Sequence, residues 1–269
     1  PLYHYFTAAS VWLFGENIWA MRMPTVLFGV ATGWLLYLCG SRLLGRPWVG
    51  LAALVLATIH PGMMFTSHMV RFYQQQQFFA LLTIFFFCKG FVTEQSQKYR
   101  YLTVAGWLAA ALSQEITAVA LVSLGVGYVL FAQHRSWTDN VKLLVVLGCA
   151  LFVIVIDFMI YETHCLTRLE GYAPSMQADV QPHFWDPYNL VSLFINYSRI
   201  HIVLTLALLL GMPAALRERS RVSFALHFML FSGVALMNVM VTQVSIRYQF
   251  WLFPLFILLS IDNARAALS

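Results

Sequence analysis

Apolar stretches of about twenty residues recur from one end of this chain to the other, each long enough to cross a hydrocarbon core roughly 30 Å thick. Lipid offers a buried peptide group no hydrogen-bond partner, so such stretches have to satisfy themselves as helices. Composition agrees: 60% of the residues are hydrophobic, 10% are charged and the mean hydropathy is +0.73. A soluble domain carries about 25% charged residues, so these 269 residues cannot cover a water-facing surface. The expected fold is all-α, a polytopic transmembrane helical bundle.

Residues 2–18 are aromatic and amphipathic and read as a helix lying along the membrane surface, which makes 1–23 an interfacial segment. Spans are expected at 24–40, 48–65, 74–92, 101–113, 116–133, 141–161, 200–215, 223–244 and 248–262. The chain thus reads as one domain: six spans in 24–161, an outer loop at 162–199 and three spans in 200–269. No repeat period stands out. The apolar run 101–133 is interrupted by Ser113-Gln114-Glu115, and the positive-inside rule decides between one tilted helix and two short ones. Two helices put Arg42, Arg46, Lys89, Lys98, Arg100, Arg135, Lys142, Arg217, Arg219, Arg221 and Arg265 inside, against Arg22, Arg71, Arg168, Arg199 and Arg247 outside. One helix would move Arg217, Arg219 and Arg221 outside. The hairpin is therefore expected, with Glu115 at its outer tip, on the floor of a cavity.

The net charge of +5 sits in short basic clusters between apolar spans, a topology signal rather than a nucleic-acid surface. Cys39, Cys88 and Cys149 fall in apolar stretches as small buried residues, while Cys165 falls in the polar loop, so no disulfide framework or zinc spacing is expected. The histidines form no metal-ligand pattern, and no Gly-rich phosphate loop appears. The chain opens on Pro1 without a Met or signal peptide, which reads as a piece of a longer protein.

Charges at a membrane edge are costly and are functional candidates by default. Arg71 lies in the outer turn Ser67–Tyr73, with His68 and Tyr73 beside it and Gln74 to Gln77 after it. A guanidinium there suits an anionic headgroup, because its planar fork of donors matches phosphate oxygens; the plainer alternative is that Arg71 snorkels to lipid phosphate and the glutamines cap a helix. Arg247-Tyr248 repeats the pairing at the last span. Glu115 can accept hydrogen bonds from a polar substrate or pair with an arginine. Asp157 reads as one half of a helix-end pair, and Arg199 and His201 as lipid anchors.

Several motifs then resemble a known family. Pro1-Leu2-Tyr3-His4-Tyr5, Leu13-Phe14-Gly15 and Ala20-Met21-Arg22-Met23-Pro24 with Leu27-Phe28-Gly29 are similar to the PPLYY…LFG…ALRLPSALFG run of polytopic GT-C glycosyltransferases of the protein mannosyltransferase and aminoarabinose transferase type. Leu38 to Arg46 resembles that family's LGRRLFGR loop, Ser67 to Tyr73 its S-x-E-A-R-x-Y turn, and Arg247-Tyr248 to Pro254 its RYLLPLLP start. Met69 stands where the family has the Glu of its EAR triplet.

The resemblance implies transfer of a sugar from a polyprenyl-phosphate-linked donor to a protein, lipid or glycan acceptor, at the non-cytoplasmic face of a bacterial inner membrane. It gives Arg71 and Arg247 the donor phosphate, and His68, Tyr73, Glu115 and Tyr248 the cavity around it. It places the catalytic carboxylate in a first outer loop upstream of the matched run, so these residues alone are expected to be inactive. It implies no cofactor beyond the lipid-linked donor and no nucleic-acid partner. A transporter or flippase for a lipid-linked or polar solute is the alternative, to be marked by broken helices with midplane charges; a non-catalytic membrane subunit is a third.

Overall fold

The computed structural model describes residues 2–132, 137–169, 201–218, 220–240 and 251–269, and these contain helices and no strand. Eleven α-helices follow in order: α1 Leu2–Phe14, α2 Ile18–Leu38, α3 Pro47–Ile59, α4 Pro61–His68, α5 Tyr73–Phe87, α6 Gln97–Ser113, α7 Ala120–Phe131, α8 Trp137–Leu169, α9 Ile202–Arg217, α10 Arg221–Met240 and α11 Phe253–Leu268. By length and apolarity alone, Ile18–Leu43, Tyr73–Thr93 and Trp137–Asp157 qualify as spans, and α3 with α4 makes a fourth if the bent pair is one. The other expected spans correspond to shorter helices, among them Ile202–Arg217 and Arg221–Met237. The chain is an integral membrane protein.

Local chemistry sets the helix boundaries. Asn17 caps α2 by accepting the Ala20 amide at 2.9 Å, so the helix begins at Ile18, earlier than the expected 24. Pro61 forces His60 out of the helical region, to ψ 125°, and α3 and α4 meet there at 61°. The expected single span 48–65 is therefore broken. The 101–133 stretch is a hairpin as expected: α6 ends at Ser113, Gln114 is extended, and a 3-10 turn Glu115–Val119 leads back into α7. α8 continues to Leu169, so the loop expected from 162 is helical for its first eight residues, Cys165 included. Cys39 and Cys88 are buried, but Cys149 is exposed, because α8 lies on the rim of the bundle.

α5 and α11 form the centre. Every residue from Trp251 to Ser260 is buried, and α11 packs on α2, α3, α5, α9 and α10. In lipid this association comes from close packing rather than from the hydrophobic effect. Where α2 meets α3, a Cβ on Gly40 would stand 2.3 Å from the Gly50 backbone, so the two helices touch main chain to main chain.

α2 and α5 end alike. Each widens into a π-helical turn, Cys39–Leu43 and Cys88–Thr93, then passes through a positive φ at Gly45 (67°) or Gln95 (52°). Each then starts a new helix against the old one, at Pro47 and at Gln97. Gly90 meets Arg100 as Gly40 meets Gly50, and these contacts, the left-handed residues and the new helix starts each lie fifty residues apart. In the sequence little more than a cysteine and a glycine recur, Cys39 and Gly40 against Cys88 and Gly90, too little for a legible repeat.

An ionic clasp joins the start of α3, the α9–α10 turn and the end of α11. Arg46 bonds the fully buried Asp262 at 2.7 Å and also Glu218, and Arg265 bonds the same two carboxylates. Arg46 and Arg265, assigned to one side by the basic-residue count, thus meet both carboxylates at one end of the bundle. Burial acts to raise the Glu218 pKa, but hydrogen bonds from Arg265 and Arg46 outweigh it and hold this carboxyl below its usual value. Its contribution to stability is therefore complete above the unfolded carboxyl pKa, about 4.3, and is lost as pH falls through the lowered folded value.

Two outcomes follow for the purified protein in detergent. Thermal stability falls as pH drops below about 4.3, and Glu218→Gln flattens that dependence; an unchanged pH profile in the variant removes the clasp from the account. Gly40→Leu lowers stability by roughly 1–3 kcal/mol, the usual cost of overpacking, whereas Gln95→Gly raises it by about 1 kcal/mol by relieving a left-handed residue. Melting temperatures measure both.

Candidate functional site

The turn between α4 and α5 brings most of the candidates to one end of the bundle. His68 closes α4 and is exposed, its Nδ1–H donating to the Met64 carbonyl at 2.7 Å. Arg71 follows, exposed and without an ion pair among the described residues. Tyr73 begins α5 and is buried, its ring tilted 57° to that of Phe72 with the centroids 4.7 Å apart. The turn thus separates the expected pair, since the guanidinium faces out and the phenol faces into the bundle. No side chain caps α5, and the first amides of a helix have no partner within it.

Behind this turn lies a feature the sequence reading missed. Gln74, Gln75, Gln76 and Gln77 are all at most 1% exposed. Gln74 Nε2 donates to the Met63 carbonyl at 3.1 Å and to Thr66 Oγ1 at 2.6 Å. Gln75 Nε2 donates to Ser113 Oγ at 3.0 Å, and Gln76 Nε2 to Thr117 Oγ1 at 2.7 Å. The glutamines therefore tie α5 to α4, to α6 and to the 3-10 turn rather than capping a helix end. The signal was available: successive helical residues step about 100°, so four in a row visit every side of α5 and cannot all face solvent.

These bonds place the α6–α7 elbow at the same end as Arg71. Glu115 opens the 3-10 turn of that elbow; its side chain lies outside the described set. Arg247, Tyr248, Arg199 and nearly all of the long loop also lie outside the described residues. Asp157 makes no ion pair among the described residues and instead lines a cavity of about 230 Å³ with Leu2, Tyr5 and Leu112. Among the described residues no group of three His, Cys, Asp or Glu gathers as metal ligands.

His201, expected at the lipid, is instead half-buried against the α3–α4 break. His60 Nδ1 accepts the Gly62 amide at 3.0 Å, so its Nε2–H donates to His201 Nδ1, also at 3.0 Å. Phe253 packs on both rings, at 4.7 and 4.8 Å. A polar break in a helix within the membrane has to be satisfied by side chains or neighbours, and this pair does so.

The family model described as dolichyl-phosphate-mannose-protein mannosyltransferase matches residues 1–161. The chain belongs to that family. Its fold is shared with ArnT from Cupriavidus metallidurans bound to undecaprenyl phosphate, at a TM-score of 0.67 and 12% identity over 98% of this chain and 49% of that one. The apo state of ArnT matches at 0.56 and 14%, over 99% and 48%. The chain spans about half the length of ArnT. No curated protein sequence matches it. The GT-C resemblance read from the motifs is thereby borne out in family and fold.

A double-mutant cycle with His60→Ala and His201→Ala is expected to return a coupling of about 0.5–1.5 kcal/mol in thermal stability, as for one net hydrogen bond. Strict additivity removes the pair from the account of the break.

Proposed function

We propose that this protein is part of a membrane glycosyltransferase that moves a sugar from a polyprenyl-phosphate donor to an acceptor. One observation carries the reading: a family member sharing this fold presents an exposed arginine, Arg71, with no ion pair among the described residues, beside an uncapped helix start at one end of the bundle. A guanidinium and the positive end of a helix both favour phosphate. Arg247 joins Arg71 on the donor phosphate, and His68, Tyr73, Glu115 and Tyr248 belong to the cavity around it. The structure of ArnT with undecaprenyl phosphate supports a lipid phosphate as the anion.

The chemistry asks for two things. A lipid phosphate leaves readily when cations stabilise the charge it gains, the part given to Arg71 and Arg247. A carboxylate takes the proton of the acceptor hydroxyl or amine; the resemblance puts that group N-terminal to the matched run, and no residue here is given the role. The site faces the non-cytoplasmic side of a bacterial inner membrane, consistent with the charge count. Transport would call for charges at a broken helix; the α3–α4 break carries a satisfied imidazole pair instead, which favours transfer.

In the whole protein, Arg71→Ala and Arg247→Ala should each reduce transfer from a polyprenyl-phosphate sugar by at least about 100-fold, the scale of losing one donor to developing charge, with membrane expression intact. Transfer at the wild-type rate by both variants rejects the phosphate assignment.

A further inference from the structure

A cavity of about 360 Å³ lies between the far end of α5, α6, α7 and the start of α8, at the end of the bundle opposite Arg71. Its wall is mostly apolar, with Phe91, Trp107, Leu124 and Leu147 among the lining side chains. The hydroxyls on it are already bonded: Thr103 Oγ1 donates to the Tyr99 carbonyl at 2.8 Å, and the Tyr128 hydroxyl to Asn140 Oδ1 at 2.7 Å. A wall of this kind gives water little to hold, and apolar cavities stay dry. Hydrocarbon suits it instead.

The dimensions name the kind of chain. α8 runs along the cavity from Trp137 to Leu147, ten residues or about 15 Å of helix, half of a hydrocarbon core roughly 30 Å thick. Gly125, Trp137 and Leu144 are exposed, so the cavity opens sideways onto lipid. Tryptophan favours the membrane–water interface, which puts the Trp137 end at headgroup level. A chain entering there is contained within one leaflet. Gly125 helps to make the room, since a Cβ added to it would meet nothing within 4 Å.

The mouth carries charge. Gln97 Nε2 donates to the Asp139 carbonyl at 3.4 Å, which draws the starts of α6 and α8 together near Trp137. Lys98 follows Gln97, and Lys142 adjoins the lining residue Leu143; both are exposed and make no ion pair among the described residues. Asp139 stands beside them and Glu94 is held by Lys89 at 2.7 Å, so positive charge is in excess there. Basic residues at the mouth of a cleft between transmembrane helices suit an anionic headgroup. We propose that this cavity holds one acyl chain of an anionic phospholipid whose phosphate rests on Lys98 and Lys142. The site is separate from the donor phosphate at Arg71, at the other end of α5, and does not depend on the transfer reading.

Equilibrium binding to the purified whole protein in detergent is measured with phosphatidylglycerol, phosphatidylcholine of the same chains, glycerol phosphate and polyprenyl phosphate. Phosphatidylglycerol should bind at least about tenfold tighter than phosphatidylcholine, the scale that two lysines supply beside an anionic lipid. Glycerol phosphate, which has no chain, should not compete. Lys98→Gln combined with Lys142→Gln should remove the preference. Gly125→Phe, which fills the cavity, should weaken phosphatidylglycerol binding at least about tenfold while melting no lower than wild type; Gly125→Leu replaces it if it does not fold. Equal binding of the two phospholipids, a preference that survives loss of both lysines, or wild-type binding by the folded cavity-filling variant overturns the proposal. Displacement of phosphatidylglycerol by an equimolar amount of polyprenyl phosphate gives the cavity to the donor chain and overturns it as well.

Discussion

Hydrocarbon cannot form hydrogen bonds, and nearly every feature of this protein is an answer to that. It accounts for the absence of strands among the described residues and for the Asn17 cap at the start of α2. It also explains why the break at His60-Pro61 is closed by a second imidazole rather than left to solvent.

The bundle is organised around one helix with two different ends. The first turn of α5 is bound by glutamine to α4, α6 and the 3-10 elbow. Its far end dissolves into a π-helical turn on which α6 packs. At the clasp, charge closes the structure through Arg46, Asp262, Glu218 and Arg265. At the other end, the exposed Arg71 makes no ion pair among the described residues.

Much of this was legible in the residues alone. Apolar run length gave the helices, the basic-residue count separated α6 from α7, and ordered motifs pointed to the family whose model covers residues 1–161. The miss at α2 came from a cap whose effect outran the hydropathy pattern. The misses at His201 and at the glutamines share another cause. Polar residues near an apolar run look like membrane-edge residues in one dimension, while their partners stand 141 residues away for His60 and His201 and 38 and 41 away for Gln75 and Gln76. Pairing across such distances is a property of the fold and has no local signature. For Glu115 only the position on the elbow was readable.

The matched turns after α2 and α5 show how little sequence such a crossing requires. Two helix–turn–helix units, built with the same π widening, the same left-handed residue and the same close crossing, sit in register fifty residues apart. Their side chains have diverged so far that glycine at 45 answers to glutamine at 95. Shared backbone geometry under different side chains is what a close helix crossing imposes on whatever sequence reaches it. In that register Gln75 and Gln76 answer to Thr25, which is buried, and Val26, which is exposed, in the interior of α2, so the turns match while the helices leading into them face different surroundings.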